Sequence, residues 1–252
     1  MRAVNIRVHT NKDGIHKAKA TFSKNWVHYM REALGLAIFM ISACAFGVLL
    51  ESRNSWLHHS IHSDWIRLVV MGVAMGATAL FIFYWPLTAL SGSHINPAVT
   101  LTFLRLGKMS LWDSLFYILF QFVGGVLAVY GMAALIGSPL RENPVHYLTT
   151  IPGKHGLWGA LSAEFIAGFI VMTAILFSSE SQRWSKYTRI FSAFLVCVFV
   201  ITVGPLSGFG MNPARSFASA LPSGQWTGWW IYMIVPVLSM LSAAEFFVYV
   251  KK

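Results

Sequence analysis

The sequence predicts an all-α membrane protein in which six transmembrane helices and two re-entrant half-helices form an inverted repeat. Three observations predict it. The 252 residues are 56% hydrophobic and only 11% charged, a balance foreign to water-soluble domains. Runs long enough to cross about 30 Å of hydrocarbon, roughly 20 helical residues, recur six times along the chain, uncharged except for Glu164 in the fourth. Two stretches, SGSHINPAVT at 91–100 and SGFGMNPARS at 207–216, resemble one another and follow the second and fifth of those runs.

The first 25 residues carry charge without an apolar core before Trp26, so they read as a basic, loosely ordered cytoplasmic tail rather than a cleavable signal peptide. The spans are expected at about Ala33–Leu50, Leu68–Trp85, Ser114–Gly137, Leu157–Phe177, Ile190–Leu206 and Gln225–Ala244. No strand-like alternation accompanies them, so helices must satisfy the backbone inside the bilayer. Of the 19 basic residues, seven precede the first span: Arg2, Arg7, Lys12, Lys17, Lys19, Lys24 and Arg31. With that end in the cytoplasm, Arg105, Lys108, Arg183, Lys186, Arg189, Lys251 and Lys252 fall on the same side, and only Arg53, Arg67, Arg141, Lys154 and Arg215 on the other. The net charge of +10 is thus an orientation signal with both termini cytoplasmic, and no nucleic-acid partner is expected. Cys44 and Cys197 each lie inside a span, which excludes a disulfide or zinc framework.

The body of the chain, residues 26–252, divides into repeat one at 26–137 and repeat two at 156–250. Each repeat opens with a glutamate near the start of its first helix, Glu32 in REALG and Glu164 in SAEFIAG. Three spans per half is an odd number, so the second copy must be inverted across the membrane. Each Asn-Pro-Ala heads a segment too short to span and too apolar for a wet loop, Ile95–Leu104 and Met211–Leu221. Asparagine is a favoured N-cap and proline a favoured first helical residue, so Asn96-Pro97-Ala98 and Asn212-Pro213-Ala214 each start a helix. A helix of about eight residues is roughly 12 Å long, so two entering from opposite faces meet near the midplane. Asn-Pro alone is weak evidence, and Asn143-Pro144 reads as an ordinary turn pair. Two Asn-Pro-Ala copies arise by chance in only about one chain in a thousand of this length.

These residues resemble the major intrinsic protein family, the aquaporins and glycerol facilitators, over essentially everything beyond residue 25. The resemblance rests on HINPAVT, MNPARSF, the two glutamates, Gln121 in FQFVGG and Pro236 in span six. It implies six tilted helices and two half-helices around one pore per subunit, embedded in a lipid bilayer and assembled as a homotetramer. The expected activity is passive passage of water, with glycerol and similar small neutral solutes also admitted and ions excluded. A facilitator whose main solute is glycerol is the alternative. An ion-coupled carrier or a structural membrane protein with a closed pore are alternatives of another class. No Ser-His-Asp set, phosphate-binding glycine loop or Cys/His ligand set occurs, so neither an enzyme nor a cofactor or metal is expected.

The half-helix N-termini carry about half an elementary charge each and oppose cations, a term of roughly 2 kcal/mol at about 4 Å and an effective dielectric near 20. Asn96 and Asn212 are expected to cap their helices while aiming a side-chain NH2 at passing solute. Arg215 is a costly cation inside a membrane segment unless it lines a wet cavity, and the resemblance assigns it to an outer selectivity filter. The resemblance places the filter's other members about 20 residues before Asn96 and 12 and three before Asn212, which by direct count are Gly76, Val200 and Phe209, with Met75 as the option one residue earlier. Val200 stands where water-selective members carry histidine, and Ser216 where facilitators carry aspartate. Glu32 and Glu164 are read as braces accepting backbone N–H groups, and His94 as a brace of its loop that faces the cytoplasmic half of the pore. His58, His59 and His62 with Asp64 read as solvated loop residues rather than a metal site. Trp26, Tyr29, Trp65, Trp112, Trp184, Trp229 and Trp230 read as interfacial anchors, and Gly124, Gly125, Gly131 and Gly168 as sites of close helix contact.

Overall fold

The computed structural model describes residues 11–252, which form helices and short connections with no strand among the described residues. Eight helices carry the architecture: α1 (Asn11–Glu51), α2 (Asp64–Tyr84), α3 (Pro97–Arg105), α4 (Leu111–Ile136), α5 (Gly156–Ser179), α6 (Thr188–Ser207), α7 (Pro213–Ser223) and α8 (Trp229–Val250). Six of them, α1, α2, α4, α5, α6 and α8, are long and apolar enough to cross a membrane. The other two, α3 and α7, have only nine and eleven residues. Arg2 and Arg7 of the basic tail lie outside the described residues.

The packing follows the repeat. α1 lies along α4 in the first half as α5 lies along α8 in the second, and α2 meets α6 between them. Each half-helix packs chiefly on the third span of the other half, α3 on α8 and α7 on α4. Small residues permit this. A Cβ on Gly124 would run into the Ala33 backbone of α1, one on Gly125 would sit 3.1 Å from Ala218 of α7, and one on Gly168 would strike Ser239 of α8. Gly131 departs from expectation, because nothing lies within 4 Å of its Cβ position and no close contact depends on it.

Two further expectations change. Residues 11–25 are helical, so the tail there is not loosely ordered: α1 continues for 41 residues without a break. Phe22 meets Phe116 of α4 edge to face and Tyr29 packs on it at a tilt, each at 5.1 Å between centroids, which anchors the extension. Asp113 at the start of α4 accepts from Asn25 Nδ2 at 2.9 Å and from Tyr29 OH at 2.7 Å. Tyr29 is therefore fully buried and is a helix clasp, not an interfacial anchor. The last span begins later and ends later than its apolar run. Gly228 in the left-handed region delays α8 to Trp229, and Glu245, which interrupts the apolar pattern, is neutralised by Arg105 at 2.8 Å.

Lys108 after α3 and Lys251 after α8 both reach Glu180 at the end of α5, at 2.8 and 3.3 Å. Their hydrogen bonds, Lys108 first, hold the Glu180 carboxyl below its ordinary range. Exposed pairs of this kind add little stability. They do place the α3–α4 connection, the end of α5 and the C-terminus on one face, where Asp113 also gathers the N-terminal extension.

Gly124→Val should cost more than about 1–3 kcal/mol through overpacking against a backbone that cannot yield, whereas Gly131→Val should be tolerated. Size-exclusion profiles of the two variants after stepwise heating check this, with early aggregation expected only for the first.

Candidate functional site

The two Asn-Pro-Ala segments begin helices as their local chemistry dictates. Asn96 and Asn212 hold extended backbone, with φ of −152° and −146°, and proline follows each at the first helical position. Asn96 Oδ1 accepts from Ala98 N–H at 2.9 Å, and Asn212 Oδ1 accepts from Ala214 and Arg215 N–H at 3.1 and 3.3 Å. The side-chain amides then cross between the repeats. Asn96 Nδ2 donates to the Met211 carbonyl at 2.9 Å, and Asn212 Nδ2 donates to the Ile95 carbonyl at 2.7 Å. One N–H of each amide thus ties the opposed half-helices end to end, so of the NH2 expected to face solute one donor is already engaged between the repeats. Each amide has a second N–H, and both asparagines line the central cavity.

The residues before each cap run in a conformation that no helix pairs. Ser93 and Ile95 in one copy and Phe209 and Met211 in the other have φ between 42° and 54°, a left-handed geometry costing about 1 kcal/mol or more per non-glycine residue. Buried carboxylates hold it in place. Glu32 Oε1 accepts from Ser91 Oγ at 2.7 Å and His94 N–H at 3.0 Å, and its Oε2 accepts from Ile95 N–H at 2.6 Å and Gln121 Nε2 at 2.8 Å. Glu164 Oε1 accepts from Ser207 Oγ at 2.5 Å and Gly210 N–H at 2.7 Å, and its Oε2 accepts from Met211 N–H. Both glutamates are fully buried. His94 stacks on Phe103 of α3 at 4.8 Å, sits 3.2 Å from Thr100 Oγ1 through Nδ1, and contributes to the cavity wall.

Of the cavities among the described residues, two adjoin in the interior. One of about 620 Å³ extends from Lys186 and Arg189 past His94 to Asn96, Asn212 and Arg215. The other, of about 360 Å³, opens near Glu51 and is walled by Met75, Val200, Phe209 and Arg215. They share three residues, Phe39, Phe209 and Arg215, so the two cavities adjoin there. Gly76 is absent from both walls. Its Cβ position points to α6, 2.7 Å from Cys197 Cβ, and the wall position belongs to Met75. Counted back from Asn96 the wall residue lies 21 positions away rather than the 20 that lead to Gly76, which is instead needed for α2–α6 contact.

Two contributors escaped the sequence reading. Phe39 lies seven residues beyond Glu32 on α1, a helical spacing that points both to the same face, and this was the available signal. The Leu148 carbonyl accepts from Arg215 Nη1 at 3.1 Å and fixes the guanidinium. It sits on a turn in which His146, Tyr147 and Leu148 all have φ between 41° and 57°, a run without glycine that no composition rule announces. Arg215 is only 7% exposed, so this carbonyl offsets part of the cost of burying its charge.

Glu32→Gln and Glu164→Gln turn an acceptor into an NH2 facing backbone donors. Each should cost about 1.5–3 kcal/mol, read as a lower unfolding midpoint of the detergent-purified protein.

The major intrinsic protein model matches residues 19–249. Aquaporin NIP2-3 from Zea mays is 32% identical over 190 residues, 75% of this chain and 61% of that protein. Aquaporin NIP2-2 from Zea mays is 34% identical over 64% of this chain and 53% of its own length, so the chain spans less than two thirds of both relatives. The probable aquaporin NIP-type from Nicotiana alata is 29% identical over 86% of this chain and 74% of its own length. The X-ray structure of the aquaglyceroporin from Plasmodium falciparum shares the fold, with a TM-score of 0.71, 19% identity, and coverage of 88% of this chain and 94% of that one. With its paired Asn-Pro-Ala half-helices inside six spans, the chain belongs to the major intrinsic protein family.

Proposed function

We propose that the protein is a passive channel for water that also admits glycerol or similar small neutral solutes and excludes protons and other ions. The observation that carries this reading is the end-to-end meeting of α3 and α7, with Asn96 and Asn212 crossed in the wall of the larger cavity. Two positive helix ends and Arg215 face a permeant there, which disfavours cations and leaves neutral molecules untouched. The names of the aquaporin relatives support the same reading. A carrier needs a carboxylate free to gain and lose protons. All four oxygens of Glu32 and Glu164 already accept hydrogen bonds, which supports bracing over coupling.

The proposed outer filter is Met75, Val200, Phe209 and Arg215. Three apolar walls offer contact to CH groups, while the guanidinium donates to hydroxyl oxygens, and this composition favours small solutes alongside water. The shared face of the termini, the α3–α4 connection and the end of α5 is assigned to the cytoplasm on the distribution of basic residues. The body at 26–252, in its two repeats, is the channel, and a homotetramer in the bilayer is proposed on the family resemblance.

Reconstituted into liposomes, the protein should give fast osmotic water flux without an ion gradient and glycerol flux above that of empty liposomes. Glycerol flux equal to that of empty liposomes would contradict the permissive filter. Val200→His should suppress glycerol flux and leave water flux largely intact in the same assay. Arg215→Val removes both bulk and charge, so proton leak and neutral-solute flux should rise together; no change in either removes Arg215 from the filter.

A further inference from the structure

The wall of the larger cavity carries bases and no acid. Lys186 and Arg189 stand at one end and Arg215 at the other, with His94 between them, and no aspartate or glutamate is among the residues that line it. A concave wall of one sign focuses its field and gathers counter-ions. The two bases at the entry are also free of carboxylates. Arg105, Lys108 and Lys251 on the same face are paired with Glu245 and Glu180, whereas neither Lys186 nor Arg189 has an acidic partner among the described residues. Glu180, the acid nearest to them in the sequence, already holds two lysines. Aromatic rings position the bases instead. Lys186 Nζ lies 4.9 Å from the Tyr187 ring centroid and Arg189 Cζ 5.3 Å from that of Tyr84 on α2, contacts that hold a cation without neutralising it. The pair is three positions apart where a 3-10 turn, Ser185–Tyr187, leads into α6, a spacing that puts both on one face. Ser185, next to Lys186, lines the same wall.

We propose that Lys186 and Arg189 form a binding site for a phosphate group at the entry of the larger cavity, carried by a dissolved phosphate compound or by the headgroup of an anionic phospholipid. An ammonium and a guanidinium without a carboxylate offer N–H donors that phosphate oxygens accept in charge-assisted bonds, and the Ser185 hydroxyl adds a neutral donor beside them. Arg215 lies too deep to share the ligand but adds to the same positive field. A phosphate group held there stands in the way into the cavity.

Thermal unfolding of the full chain in an uncharged detergent tests the site, with inorganic phosphate, a short-chain phosphatidylglycerol, or sodium chloride at matched ionic strength. Phosphate or phosphatidylglycerol should raise the midpoint by about 3 °C at roughly ten times its dissociation constant, and chloride should not. A rise with inorganic phosphate identifies a dissolved ligand, and a rise with phosphatidylglycerol alone a lipid one. Lys186→Gln/Arg189→Gln should abolish the rise, and because both bases are exposed this variant should fold. Lys17→Gln/Lys19→Gln removes the same charge from exposed positions of the N-terminal extension and should keep it. No rise with either probe, a rise that chloride reproduces, one that survives Lys186→Gln/Arg189→Gln, or one that Lys17→Gln/Lys19→Gln also abolishes would overturn the proposal. The readout is unfolding rather than flux, so a failure here leaves the channel reading standing.

Discussion

A backbone N–H left without an acceptor in hydrocarbon costs several kcal/mol, and the stretches leading to Asn96 and Asn212 have no helix in which to pair theirs. Glu32 and Glu164 supply the acceptors. Each carboxylate takes two successive backbone donors and a serine hydroxyl from its own loop, and in doing so fixes residues held at positive φ. With the loops fixed, the asparagines cap their helices and cross to one another, and the helices meet end to end. Remove the carboxylates and neither the left-handed residues nor the buried ends have compensation.

The electrostatics follow from that geometry. Two helix N-termini meeting in a low-dielectric interior present the same sign to the larger cavity, and Arg215 adds a third positive group where the two cavities adjoin. The guanidinium is itself held by the Leu148 carbonyl, so its position depends on a turn outside both Asn-Pro-Ala segments. Phe39, Phe209 and Arg215 then separate two chambers of unequal size.

Much of this was legible in the residues. The repeated Asn-Pro-Ala, the paired glutamates and the six apolar runs lead to spans and half-helices because each rests on local chemistry: capping, proline placement and hydrocarbon thickness. Three things did not follow from local chemistry. Gly76 and Met75 are neighbours, and which one faces a cavity depends on the rotation of α2 that close packing on Cys197 imposes. The basic extension of α1 is ordered by Phe22 and Tyr29 against α4, contacts between residues more than eighty positions apart. The left-handed turn at His146–Leu148 has neither glycine nor asparagine at the positions of positive φ to mark it.

A carboxylate-braced meeting of two helix ends should pass neutral molecules and refuse protons. Osmotic shrinkage and the decay of an imposed pH gradient, recorded on the same liposomes carrying the unmodified protein, test it most directly. Shrinkage should be much faster than in empty liposomes, while the pH gradient decays no faster. A pH gradient that collapses in step with the water flux would contradict the account.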